Sequence, residues 1–489
     1  MRRLLAVFAL MMCSLISAPA LWAADPAPPT SSAITAELPG DFLGMVVRDP
    51  HYEWNTNPNY VGTNKAFYDA MGENLRDLGV KWVRIEFFAE DGAPAAGQPD
   101  LRGRVDTAKY SYFINTVAPK YGLKVIGLLA TPLVRQRPEG ATIRYPGVTY
   151  APGAYITPEA IEAPLTVDSA GNGYGFVNPY MYIWLDNAVS VARAFPYNAA
   201  TGAGVAAFEV LNEENRYLNG GGKGMKPDSV ATLLTKFYRS YKNVECPAGR
   251  VGSSCTSVSI LVGGLHPDRC DDCVTGQKTD RQYLDAIYKS GAFASYKSIY
   301  NRLPLDGVGY HPYPLEMRSG LLPEPTGATD LFRIPQRISD MRQVMLNNQD
   351  SASRLWITEI GDRGNPRDPD NQARQAQFLH TVYWTLWQQR AFIQTVLWFK
   401  YEDFAVPGDP NANGPENWGV VRLAPRPASQ LCPQQVPPEQ QTCEYDMTGA
   451  VDTFKQSYGV YKAMAQTGAG LETYQYYMPV ITKGEIVAP

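Results

Sequence analysis

Histidine is scarce in this chain: four in 489 residues, at positions 51, 266, 311 and 380. They are too scattered for a credible histidine cluster, so neither a metal nor any other cofactor is expected. Charge of one sign is also missing in bulk. Lys and Arg number 44 against 48 Asp and Glu, the formal net charge is -4, and no five like charges run together. A basic stripe that would track phosphates is absent, which argues against nucleic acid as a partner. No apolar run reaches the roughly 20 residues of a spanning helix. What remains is a globular composition, 45% hydrophobic and 19% charged, with 30 tyrosines and nine tryptophans. Such flat amphipathic side chains suit both core packing and stacking on sugar rings.

Residues 1–24 have the three-part plan of a secretory signal: Arg2 and Arg3, the apolar stretch Leu4 to Ile16, then Ala18-Pro19-Ala20 and Ala23-Ala24. The expectation is a secreted or periplasmic protein with no membrane association after cleavage. Cys13 invites a lipoprotein reading, but Met11-Met12 before it lacks the small residues such a site prefers. With Cys13 gone, six cysteines remain in an oxidising compartment, which favours disulfides. Proximity suggests Cys246 with Cys255, Cys270 with Cys273, and Cys432 with Cys443, among 15 connectivities. A zinc site on Cys270-x-x-Cys273 is the weaker alternative.

A Pro/Ala/Ser-rich linker over 25–37 leads into apolar runs of strand length that alternate with helical stripes, the mark of parallel βαβ units. The strand-like runs are Phe42 to Val47, Lys81 to Phe87, Lys124 to Leu129, Ala206 to Leu211, Ser259 to Val262, Asp306 to Tyr310, Leu355 to Thr358 and Thr395 to Phe399. A last helix is expected from about Val451 to Met464. Eight alternating units predict a (β/α)₈ TIM barrel over 38–467, with 468–489 as a tail. An open doubly wound sheet would carry a Gly-rich phosphate turn after its first strand, and Val46-Val47-Arg48-Asp49-Pro50 has none.

A TIM barrel builds its site at the C-terminal ends of its strands. There the sequence sets Glu213, after Val210-Leu211-Asn212, and Glu359, after Leu355-Trp356-Ile357-Thr358. One glutamate at a strand end often only marks the exit to solvent. Two, after strands four and seven, match what a retaining glycoside hydrolase needs: an acid for the leaving oxygen and a nucleophile about 5 Å away.

Five short motifs carry a resemblance. They are Phe208-Glu209-Val210-Leu211-Asn212-Glu213, Trp356-Ile357-Thr358-Glu359, Gly309-Tyr310-His311-Pro312-Tyr313, Val396-Leu397-Trp398-Phe399 and Lys81-Trp82-Val83-Arg84. In this order they resemble clan A of the glycoside hydrolases, nearest to families 39 and 5. The segment Pro415-Glu416-Asn417-Trp418-Gly419 is similar to family 39 as well.

The resemblance implies a retaining enzyme that acts on oligo- or polysaccharides. It makes Glu213 the acid/base, Glu359 the nucleophile, Asn212 a ligand of the sugar 2-hydroxyl and Arg84 a support for the nucleophile. His311 and Tyr313 would bind sugar and orient the nucleophile, and Trp398 would be an aromatic platform. Glu214 stands where proline often follows the acid/base, so it competes with Glu213.

The long segment Thr131 to Asn178, with Tyr145, Tyr150, Tyr155, Tyr174 and Phe176, is expected to wall a cleft, and Trp54 to offer a second platform. A carbohydrate-binding barrel without catalysis and a transglycosylase are the alternative functions.

Overall fold

In the computed structural model, eight parallel strands hydrogen-bond in sequence and close on themselves. They are β1 (Leu43–Val46), β2 (Trp82–Glu86), β3 (Lys124–Leu129), β4 (Val205–Asn212), β5 (Ser259–Leu265), β6 (Gly307–Tyr310), β7 (Arg354–Ile360) and β8 (Ile393–Trp398). The ring closes where Leu43, Gly44 and Met45 pair with Val396, Leu397 and Trp398. This is the expected TIM barrel.

The structure describes residues 41–55, 62–90, 100–134, 161–165, 167–168, 174–216, 224–245, 257–267, 278–314, 331, 333–403, 405–406, 409–413, 417–425, 427, 445–467, 481–482 and 485–486. All fall within one compact unit, Glu37–Pro489. The signal segment, the six remaining cysteines, Tyr145, Tyr150, Tyr155, Pro415 and Glu416 lie outside the described residues. Among the described residues no helix is long and apolar enough to cross a membrane.

Helices start where short polar side chains satisfy the free N–H groups of the first turn. In α1 (Lys65–Asp77) the Asn64 side chain accepts from Phe67 N, and Phe67, Met71 and Leu75 form the buried face. The sequence then stops the helix with Gly79 at φ +77°, a left-handed position that glycine takes without a Cβ clash. A second helix, α2 (Thr107–Tyr112), runs through a π turn (Phe113–Val117) into α3 (Ala118–Lys120).

Downstream come α4 (Pro179–Ala194), α5 (Pro227–Tyr238) and α6 (Asp280–Tyr288), the last opened by a Thr279/Gln282 capping box. After them follow α7 (Gly291–Tyr300), α8 (Ile334–Asn347), α9 (Pro369–Trp387) and α10 (Gln456–Thr467). The helix α7 was not anticipated. Its signals are local, a Ser290 cap accepting from Phe293 N and a left-handed Asn301 at the end.

Every strand of the ring is almost wholly buried, β4 from Val205 to Leu211 without exception, as expected for parallel strands covered by helices outside and side chains inside. Two tyrosines secure the seam: Tyr383 of α9 and Tyr461 of α10 both donate to Gly44 O, at 3.3 and 2.9 Å.

The expected last helix begins later than its stripe suggested. Val451–Phe454 is a strand, alternating half-buried and exposed, and pairs antiparallel with Val421–Leu423. That pairing needs period two, which the β-branched and aromatic residues Val451, Thr453 and Phe454 favour over a helical turn. The small sheet also takes in Glu402–Asp403 and sits just past β8.

Candidate active site

The C-terminal ends of the strands surround a cavity of about 550 Å³ whose walls include Arg84, Asn212, Glu213, Tyr313 and Glu359. Arg84, on β2 and 3% exposed, organises it. Its Nε donates to Glu209 Oε2 at 2.5 Å, Nη1 to Glu359 Oε1 at 2.6 Å and Nη2 to Asn212 Oδ1 at 2.7 Å. A planar guanidinium can serve three partners in fixed directions, which a lysine cannot. Burial works to lower the Arg84 pKa, but Glu209 and Glu359 outweigh it and hold the group charged.

Two breaks in strand phase bring these partners together. On a regular strand Glu209 and Asn212 would face opposite sides, yet both reach Arg84. Leu211 lies between them at φ 69°, followed by Glu213 at φ 48°, a conformation that costs bulky residues of order 1–3 kcal/mol each. Neighbouring contacts hold the turn. Glu213 N donates to Gly264 O at 3.1 Å, and Asn215 grips the backbone of His266 with Nδ2 to O at 2.8 Å and N to Oδ1 at 2.9 Å. On β7 the register against β8 slips between Ile357 and Ile360, so neighbouring Thr358 and Glu359 both turn inward. Such irregularities re-aim side chains.

His311, fully buried after β6, joins the two halves. Its Nδ1 is 3.1 Å from Glu213 Oε1 and 3.7 Å from Glu359 Oε2. Tyr313 OH donates to Glu359 Oε2 at 3.2 Å, and Arg216 Nη1 to Glu213 Oε2 at 2.9 Å. Burial works against the charge on Glu213, but His311, His266 and Arg216 prevail and bring its pKa down to about 2. The His311 pKa is lowered by burial and raised more by Glu359 and Glu213. The same contact thus favours the charged form of both partners. Arg84 pairs with Glu209 and Glu359, and Arg216 and His311 with Glu213.

Glu214 is elsewhere. It is 4% exposed and does not line the cavity. No other group among the described residues hydrogen-bonds its carboxyl oxygens. Burial, then the charges of Glu209 and Glu213, push its pKa up to about 8. Only Glu213 of the two faces the space where a substrate would lie.

Trp398 does not reach the wall. It is fully buried, packs on Phe378 of α9 with ring centroids 6.1 Å apart, and donates its Nε1 to Trp418 O at 3.2 Å. Among the described residues the cavity lining includes the rings of Phe399, Tyr313 and Trp418, and the Arg363 guanidinium lies 4.8 Å from the Trp418 ring centroid. Trp54, half-buried in a short hairpin, is not part of the lining, nor are Tyr174, buried edge-on against Tyr182, and Phe176, 59% exposed.

The sequence reading also missed Asp49, Glu86 and His266, which line the cavity from loops or strand ends. Burial raises Asp49 to about 6, against the opposing effects of the Glu86 N–H and the charges of Arg48 and Arg84. Glu209 was visible as part of a motif but had no role; a carboxylate inside an apolar strand signals a buried partner.

Among the described residues, Glu213, His311 and Glu359 are the group whose donor atoms could hold a metal ion, all within 4.8 Å of one another.

No protein-family model matches the chain, and no curated protein matches it. Solved structures do resemble it. One is a glucosidase from Croceicoccus marinus, 11% identical, covering 88% of this chain and 68% of its own, with a TM-score of 0.46. Another is the GH39 enzyme from Xanthomonas axonopodis pv. citri, 14% identical, covering 88% and 67%, TM-score 0.46. A third is a GH5-4 broad-specificity endoglucanase from Clostridium acetobutylicum, 12% identical, covering 78% and 92%, TM-score 0.43. Families 39 and 5, which the sequence motifs resemble, are thus both among its structural neighbours. At these identities and scores the likeness decides nothing about chemistry, which rests on the cavity.

Proposed function

We propose that the chain is a secreted retaining glycoside hydrolase that cleaves glycosidic bonds in oligo- or polysaccharides, with Glu359 as nucleophile and Glu213 as acid and base. One observation carries the reading: carboxylate oxygens of Glu213 and Glu359 stand within 4.8 Å of each other at the cavity, with His311 between them. A retaining pair is about 5–5.5 Å apart, whereas an inverting pair leaves about 6.5–9.5 Å for a water.

Glu359 attacks the anomeric carbon while Glu213 gives a proton to the departing oxygen, and the C–O bond breaks. The glycosyl group is then an ester of Glu359. With that negative charge gone, Glu213 takes a proton from water, the water oxygen attacks the anomeric carbon, and the ester bond breaks. Arg84 and Tyr313 hydrogen-bond the Glu359 carboxylate and aim it. Because Asn212 Oδ1 accepts from Arg84, its amide N–H groups are left to meet a sugar hydroxyl, a bond that strengthens as charge develops. The polar wall of Asp49, Glu86 and Arg363 beside the Trp418 ring suits a polyhydroxylated substrate with apolar ring faces.

The test is a panel of aryl glycosides and polysaccharides with the first-formed anomer read by NMR. Retention is expected; the inverted anomer appearing first, or no cleavage of any glycoside, overturns the reading. Export is tested separately by expressing the full chain and sequencing the mature N-terminus, expected near residue 25.

A further inference from the structure

We propose that Thr358 and Glu209 are positioning residues that lock the tautomer of His311, so that its Nδ1 and Glu213 hold one mobile proton between them. The inference rests on Glu213 acting as acid and base.

The chain of hydrogen bonds has one consistent direction. Glu209 accepts from Arg84 Nε on one oxygen and from Thr358 Oγ1, at 2.6 Å, on the other. A carboxylate only accepts, so the single hydroxyl hydrogen of Thr358 is committed to Glu209. Thr358 Oγ1 then has only lone pairs for His311 Nε2, 3.0 Å away. Nε2 must therefore carry a hydrogen. No solvent competes, since Glu209, His311 and Thr358 are each 0% exposed.

Glycines make the slot. A Cβ on Gly264 would stand 1.9 Å from His311 Nε2, and one on Gly309 would stand 2.6 Å from Glu209 Oε1. Glycine inside a strand marks such close approach. Both positions admit the relay only without a side chain.

With Nε2 committed, Nδ1 is the one nitrogen of the ring that can exchange a proton with the cavity. The titratable and charged groups around it are Glu213 at the end of β4, Glu359 on β7, Arg84 on β2, Glu209 behind Thr358, and His266 and Arg216 beside Glu213. During glycosylation the proton passes from Nδ1 to the Glu213 carboxylate and on to the departing oxygen, leaving His311 neutral with its hydrogen on Nε2. During hydrolysis the proton taken from water returns through Glu213 to Nδ1, and the balance is restored.

The test is ¹⁵N NMR of the His311 imidazole in the resting enzyme, with pH profiles of T358V and T358S. In the wild type Nε2 keeps its hydrogen across the titration and only Nδ1 loses one. T358V removes the acceptor, lets the neutral ring carry its hydrogen on Nδ1, and moves the alkaline limb of kcat/KM down by about one pH unit. Its kcat falls about tenfold or more while KM changes little. T358S restores both.

A bare Nε2 in the wild type, an unmoved limb in T358V, or equal damage in T358S and T358V overturns the proposal. Should T358V not fold, the tautomer in the wild type and T358S decides. The tautomer readout needs no substrate, so a failure of the glycosidase reading, which would remove the shared catalytic proton, is told apart from a failure of the tautomer lock.

Discussion

The guanidinium of Arg84 donates to Glu359 Oε1 at 2.6 Å and, from its other terminal nitrogen, to Asn212 Oδ1 at 2.7 Å. One side chain thus fixes the orientation of two groups on strands three places apart in the ring. R84K keeps the charge but offers one point instead of a planar fork. Turnover is expected to fall by about 10²-fold or more, the cost of losing a preorganised donor. A kcat near that of the wild type, measured on an aryl glycoside, would show that the arrangement around Arg84 is not needed.

Glu213 and Glu214 are adjacent in sequence and opposite in role. E213Q is expected to lower kcat by about 10²–10⁴-fold, while E214Q leaves it nearly unchanged. E214Q should instead alter stability. The Glu214 pKa is raised from 4.5 to about 8 by burial and neighbouring carboxylates, so the folded state binds its proton more tightly than the unfolded chain. The stability this supplies is complete below about pH 4.5 and is lost as pH rises through about 8. Thermal melts should therefore show E214Q gaining on the wild type as pH rises. Parallel melting curves across that range would contradict the assignment.

Trp398 and Trp418 separate packing from binding. W398A empties a fully buried site on the helix side of β8 and is expected to cost about 3–5 kcal/mol in chemical unfolding. W418A opens the cavity wall and should raise KM with a smaller loss of stability. The reverse pattern would restore Trp398 as the platform.

Glu213, His311 and Glu359 could together ligate a divalent cation, yet a nucleophile and an acid/base must both be free of one to work. EDTA treatment followed by metal-free buffer is expected to leave turnover intact. Loss of activity, recovered on adding a divalent ion, would point to metal-assisted chemistry instead.

The barrel was legible because each of its strands is an apolar run and each run is followed by a helical stripe; Lys124–Leu129 falls where the sequence reading set it. Glu213 and Glu359 were legible as carboxylates where those runs stop. Trp398 was not, because side chains alternate along a strand and a one-residue difference exchanges core for cavity: Phe399 faces the cavity and Trp398 faces α9. The positive φ at Leu211 and the register slip before Ile360 left no periodic trace. Asp49, Glu86 and Trp418 come from strand ends and loops, where no pattern announces orientation. The strand at Val451 was hidden by the helix behind it, since only its partner Val421–Leu423 selects period two.

The two-glutamate account meets its most direct test in trapping the intermediate. Incubation with a 2-deoxy-2-fluoro glycoside bearing a good leaving group, followed by peptide mass spectrometry, should find the sugar esterified to Glu359 and, in E359Q, no adduct at all. A label on Glu213 or Glu214, or turnover that persists in E359Q, would contradict the account.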